Sequence, residues 1–99
     1  MQLKLKVLWL KNFLGFAIDR TVTKKSYPLT SYYFWPKTEA WDQLKLELDS
    51  KFWVSEEEKI KILNLITDII NYWRQNRANG DPKTHFSDVK FLKLQELGL

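Results

Sequence analysis

The chain has 99 residues, 44% hydrophobic and 28% charged, the make-up of an ordered domain with a core of its own, which excludes the disordered class. It holds no cysteine and one histidine, which excludes a disulfide framework, a thiolate zinc site and a cysteine nucleophile. The net charge of +4 is segregated: seven Lys or Arg stand against Asp19 alone in residues 1 to 37, two against seven acids in residues 38 to 58, and seven against four in residues 59 to 99.

Gln2, Lys4 and Lys6 alternate with Leu3, Leu5, Val7 and Trp9, the period of two expected of a strand with one buried face. Leu8 and Leu10 interrupt the polar side, so the strand is expected to become buried on both faces towards its end. Lys11-Asn12 predicts a turn, and Phe13 to Asp19 a second strand, giving a β-hairpin over residues 3 to 20. Gly15 marks a bulge or a close backbone approach within it. Residues 21 to 27 are polar and basic and are expected to form a loop.

Pro28-Leu29-Thr30-Ser31-Tyr32-Tyr33-Phe34-Trp35-Pro36 sets four aromatic rings in a row between two prolines. Large rings and Thr favour an extended strand, and the prolines bound it because neither can donate to a ladder from a strand interior. Alternation then sends Tyr32 and Phe34 to one face and Tyr33 and Trp35 to the other. Tyr33 and Trp35 are candidates either for core or for partner contact.

Beyond Pro36 the period becomes helical. Thr38 is the expected N-cap, Glu39 and Asp42 lie in the first turn, and Trp41, Leu44 and Leu48 recur at spacings of three and four. Lys51 to Val54 form an apolar connector, and Ser55 with Glu58 three residues on has the form of a capping box. Ile62, Ile66, Ile69 and Trp73 then form one stripe, with Leu63 and Ile70 beside it. Arg74 and Arg77 occupy the last turns before the stop at Asn79-Gly80-Asp81-Pro82. After Pro82 the pattern allows a short helix capped by Ser87 and carrying Val89, Phe91, Leu92 and Leu94, or an extended arm that orders on a partner. The expectation is an α+β domain over residues 1 to 80, with a small antiparallel sheet of about three strands and two main helices on one face, followed by a tail over 81 to 99.

Chemistry-bearing groups are sparse. His85, with Asp81 and Asp88 nearby, is the only His-carboxylate grouping, and one His without Cys or a second His cannot fill a usual transition-metal shell. Glu56, Glu57 and Glu58 follow a Ser cap, where the helix dipole accounts for them. The three glycines form no phosphate-binding loop. An enzyme, a cofactor and a metal are therefore not expected. The alternating charged start is not a signal peptide, and no window is long and apolar enough for a membrane span. Lys4, Lys6, Lys11, Arg20, Lys24, Lys25 and Lys37 instead fall on the hairpin and the segments that follow it, close enough to face a polyanion, and aromatic rings can stack on unpaired bases. Trp9, Trp41, Phe52, Trp53 and Trp73 are expected in the core.

Val7-Leu8-Trp9-Leu10, Gly15 to Asp19, the Pro28 to Pro36 stretch, Ala40-Trp41, Leu44, Glu47-Leu48, Trp53 to Glu56 and Ile69 to Trp73 together resemble the plastid-specific ribosomal protein three family over about residues 3 to 75. The chain departs from that pattern at Lys37-Thr38-Glu39 and at Phe52, and the tail from residue 76 carries no matching motif. The resemblance implies a non-catalytic component of the small (30S) subunit of plastid or cyanobacterial ribosomes. Its partners would be small-subunit ribosomal RNA and neighbouring ribosomal proteins, with no membrane and no small-molecule substrate. Its location would be the plastid stroma or the cyanobacterial cytoplasm. On charge, the N-terminal cations would neutralise phosphates, and the acidic middle would face solvent or basic ribosomal proteins. The alternative from another class is a protein-interaction or regulatory module that uses the aromatic strand as an edge.

Overall fold

The computed structural model describes residues 2–76 and 81–92. Apolar alternation produces the expected hairpin: β1 (Gln2–Trp9) pairs antiparallel with β2 (Leu14–Val22), Trp9 opposite Leu14 and Gln2 opposite Thr21. A four-residue connection closes it, with the Leu10 N–H bonded to the Phe13 carbonyl at 3.2 Å.

The segment expected to be a basic loop is instead part of the sheet. β2 runs on to Val22, turns at Thr23 and Lys24, and returns as β3 (Lys25–Pro28). Both turn residues have positive φ, 56° and 82°, as a two-residue type I′ hairpin requires. Thr-Lys carries none of the Asn or Gly signal by which such a turn is recognised, which is why sequence reasoning missed it.

The aromatic strand is shorter than its composition suggests. β4 (Tyr33–Trp35) pairs with Leu14 to Phe16 on the same edge of β2 that β3 occupies further along. Thr30 causes the break. Its hydroxyl accepts the Ile18 N–H at 3.0 Å, while the Leu29 and Thr30 N–H groups both donate to the Ile18 carbonyl. The side chain thus replaces the ladder at this position, and residues 29 to 32 loop out.

Glu39, rather than Thr38, stands at the N-cap of α1 (Ala40–Asp49) and makes no side-chain cap bond; the Thr38 hydroxyl is taken by the Phe34 carbonyl at 2.5 Å. α2 (Glu56–Gln75) has the expected cap, the Ser55 hydroxyl accepting the Glu58 N–H at 3.1 Å. In the tail the helical turn comes before Ser87, as α3 (Pro82–His85), and Lys90–Leu92 form β5, parallel to β1 with Lys6 opposite Lys90. The sheet order is therefore β3/β4–β2–β1–β5, mixed where three antiparallel strands were expected. Parallel pairing is invisible to local pattern because its partner lies more than eighty residues away. The expectations for Arg77, Asn79, Gly80 and Leu94 lie outside the described residues.

The α+β class and the two main helices on one face stand as expected. Leu3, Leu5, Val7, Leu14, Phe16 and Ile18 form one core cluster with Ala40, Leu44 and Leu48 of α1 and the isoleucine stripe of α2. No described helix is long and apolar enough to cross a membrane. The opposite sheet face carries Leu8, Gly15 and Ala17, all buried. Gly15 is the close-approach site: a Cβ there would lie 2.9 Å from the Phe34 ring and 3.2 Å from the Leu8 Cβ.

Gly15→Ala is expected to cost about 1–3 kcal/mol through overpacking, and less when Phe34→Leu vacates the ring position; a urea-unfolding double-mutant cycle with no coupling would show that the ring is not the obstacle. Thr23→Asn places a residue that tolerates positive φ in the turn and is expected to add about 1 kcal/mol, roughly 4–8 °C in Tm at this size, measured by thermal unfolding.

Candidate nucleic-acid interface

Strand register sorts six of the seven cations singled out by sequence into three groups and sets Arg20 apart. Lys4 and Lys6 stand on the sheet face opposite the helices, and β5 adds Lys90 there through its pairing with Lys6. Lys24 occupies the β2–β3 turn, with Lys25 beside it. Lys11 follows β1 and Lys37 follows β4, which places both at the opposite end. Nine residues of β2 separate the two ends, about 30 Å of strand, most of the molecule's 36 Å longest dimension. Arg20 points to the helix side, its guanidinium 5.7 Å from the Tyr27 ring centroid and 5.5 Å from that of Trp53.

The cations are not equally available. Lys6 is 2.8 Å from Asp19, both largely buried, and its ammonium lies 5.5 Å from the Tyr32 ring centroid. It is committed to holding the 29–32 loop over the sheet. Among the described residues no carboxylate is within ion-pair distance of Lys4, Lys11, Arg20, Lys24, Lys25, Lys37 or Lys90. These carry uncompensated charge, the requirement for displacing counterions from a phosphate chain.

The aromatic alternation is as expected, with Tyr32 and Phe34 stacked on each other at 6.4 Å on the outer face, and Phe13 edge-on to Phe34. The Tyr32 hydroxyl is buried there with no partner among the described residues, and burial pushes its pKa up. Tyr33 and Trp35 are half-buried against the helices: the Tyr33 hydroxyl donates to Glu47 at 2.5 Å, and Trp35 meets Trp73 edge-on at 5.6 Å. Trp9, Trp41 and Trp73 pack against the core. Phe52 and Trp53, expected with them, are 96% and 40% exposed, because the α1–α2 connector turns only Val54 inward. Position within a short connector gives no periodicity by which to tell inward from outward.

The His85 ring lies tilted against Tyr72, 4.6 Å between centroids, and among the described residues no cluster of His, Asp and Glu is arranged for a metal. A groove of about 510 Å³ between β1, α2 and residues 85–89 mixes Lys4 and Lys61 with Glu58, Asp68 and Asp88, so it favours neither sign of ligand. Sequence reasoning also missed Lys59, which is buried and bonded to Asp49 at 3.1 Å and to Glu56. Its spacing of three and four before Ile62 and Leu63 was the available signal, since that puts it on the apolar stripe.

The family described as plastid and cyanobacterial ribosomal protein (PSRP-3 / Ycf65) matches residues 29–76, from the loop before β4 to the end of α2. The chain is 48% identical over 88 residues to a probable small ribosomal subunit protein cS23 of Synechococcus sp. (strain JA-2-3B'a(2-13)), covering 86% of this chain and 89% of the relative. It is 45% identical over 93 residues to small ribosomal subunit protein cS23 of Cyanidium caldarium, covering 89% and 92%. The barley (Hordeum vulgare) protein of that name is 45% identical over 74 residues, covering 74% of this chain and 41% of the relative.

Three of the seven acids in residues 38 to 58, Glu47, Asp49 and Glu56, are tied to lysines within the fold. Asp49 bonds Lys45 at 2.8 Å as well as Lys59, and Glu47 takes Lys51 at 3.4 Å in addition to Tyr33. The hydrogen bonds from Lys45 and Lys59 hold the Asp49 carboxyl below the usual carboxylate range, and those to Glu56 and Asp49 raise the Lys59 ammonium. A depressed carboxylate stabilises the fold above its unfolded value, about 3.9, and that contribution is lost as pH falls through the lower folded value. Asp49→Asn is therefore expected to be less stable than wild type at pH 6, with the two Tm curves converging below pH ~4. Parallel curves in circular-dichroism melts down to acid pH would remove Asp49 from the acid response.

Proposed function

Since this chain belongs to the family of plastid and cyanobacterial ribosomal proteins PSRP-3/Ycf65, we propose that it is a structural constituent of the small ribosomal subunit that binds small-subunit ribosomal RNA through its basic strands and turns. The family is one of ribosomal structural proteins, and the chain acts in translation without being an enzyme. Its setting is the ribosome of a plastid or of the cyanobacterial cytoplasm. The observation that carries the RNA reading is the set of uncompensated cations at both ends and on the outer face of the β1–β2 hairpin, in a stretch, residues 1 to 37, whose one acid, Asp19, is already paired with Lys6.

Lys4, Lys11, Lys24, Lys25 and Lys37, with Arg20 and Lys90, neutralise phosphates, and Lys6 adds its charge while fixed to Asp19. Tyr33 and Trp35 act at this surface through the fold, by joining β4 to α1 and α2. Exposed acids such as Glu57 face solvent or basic ribosomal proteins. The strand-edge alternative has little to work with, since β4 offers three residues and ends at Pro36.

Co-sedimentation with small subunits across a salt series is the test. Association at low salt that weakens steeply as salt rises is expected, and a protein left at the top of the gradient at low salt would overturn the assignment. Charge reversal at Lys24 and Lys25 is expected to weaken association more than reversal at Glu57; the opposite order would move the RNA face elsewhere.

A further inference from the structure

Arg20 and Tyr27 are register partners, as are Val22 and Lys25, so the pleat sets all four on the hairpin face opposite Lys4 and Lys6. At the turn this face is open: Val22, Tyr27 and Trp53 are each about two-fifths exposed, and Phe52 beside Trp53 is 96% exposed. The Arg20 guanidinium, held by the rings of Tyr27 and Trp53, joins the hairpin to the α1–α2 connector. Its neighbour Asp19 points the other way, to Lys6. Among the described residues no carboxylate pairs with it, nor with Lys24 or Lys25 at the tip. Of the acids near the connector, Asp49 and Glu56 are already bonded to Lys59, while Glu57 and Glu58 form no ion pair among the described residues.

Exposed rings, a guanidinium held by two of them and free ammonium groups two to five residues away are the chemistry that recognises an unpaired nucleotide: a flat face for the base and cations for its phosphates. Folding gains nothing from holding a phenylalanine almost fully in water, whereas a base stacked on it removes that ring from solvent. Three unpaired cations, Arg20, Lys24 and Lys25, against two unpaired carboxylates, Glu57 and Glu58, leave the local balance positive, which favours RNA over a basic protein segment.

We propose that Phe52 and Trp53 stack an unpaired nucleotide of ribosomal RNA, with Arg20 oriented beside the base and Lys24 and Lys25 on the flanking phosphates. This rests on the ribosomal RNA reading above and names the kind of RNA element that reading requires at the hairpin tip: a loop, bulge or end rather than a continuous helix.

The test measures binding of the full chain to a short unstructured RNA oligonucleotide and to a blunt RNA duplex of the same length, by fluorescence anisotropy across a salt series. The wild type is expected to prefer the single strand. Phe52→Ala, at a side chain that supports nothing in the fold, is expected to weaken single-strand binding about fivefold or more with the salt slope unchanged. Lys24→Gln with Lys25→Gln is expected to lower the slope by about 0.7 per cation removed. Equal affinity of Phe52→Ala and wild type for the single strand, or a preference for duplex, overturns the inference. If the wild type still co-sediments with small subunits in that case, the ribosomal reading survives and only the stacking site falls. Loss of subunit association by Phe52→Ala with unchanged oligonucleotide affinity would assign the ring to a protein neighbour and equally overturn the proposal.

Discussion

Burial of one face of the β1–β2 hairpin beneath two helices is the constraint from which the remaining geometry follows. Leu5, Val7, Phe16 and Ile18 are at most 1% exposed and share a cluster with Leu44, Leu48, Ile66 and Ile69. Each such side chain contributes about 1.5–3 kcal/mol by leaving water, against a net stability of about 5–15 kcal/mol for a whole domain. A strand slipped by one residue would turn that entire set outward and draw the lysines in. The register that protects the core is thus the register that presents Lys4 and Lys6 on the other face. Core and charged surface are two consequences of one pleat.

The tryptophans divide by what their N–H groups can reach. Trp41 donates to the Leu63 carbonyl at 3.1 Å and Trp73 to the Leu10 carbonyl at 2.9 Å, so each ring packs apolar surface while its polar edge bonds a backbone acceptor. Trp73 also meets Trp35, and Trp9 meets Tyr72 and Phe91, which ties the end of α2 to the hairpin closure, to β4 and to β5. Aromatic side chains serve this jointing well because they span the gap between layers with few rotatable bonds. Trp53, in a connector with no layer above it, holds Arg20 instead.

Charge segregation along the chain becomes charge segregation in kind once the fold is formed. Glu47 and Asp49 of α1 and Glu56 at the start of α2 meet lysines, most tightly around buried Lys59, which Asp49 and Glu56 share. Apart from Lys6, which pairs with Asp19, the cations of the hairpin meet no carboxylate among the described residues. The first 37 residues, with seven cations and one acid, therefore offer a polyanion more positive charge than the chain's total of +4 suggests, the arrangement suited to a small protein that sits in a ribonucleoprotein particle.

Local spacing alone determined the hairpin, both main helices, the Ser55 cap and the opposite facing of Tyr32–Phe34 and Tyr33–Trp35, because each depends on residues within about a turn or a strand of one another. The ordered run from Val7 to Trp73 likewise carried the family. Tertiary structure alone decided what depends on distant partners. Thr30 breaks the aromatic strand only because Ile18 lies opposite it, and Lys90 joins the cationic face only because β5 pairs with β1. Lys59 is buried only where Asp49 and Glu56 converge on it, and Phe52 stays in water because no layer covers the α1–α2 connector. Periodicity reports which face a side chain takes; what stands opposite that face is set by the packing of elements far apart in the chain.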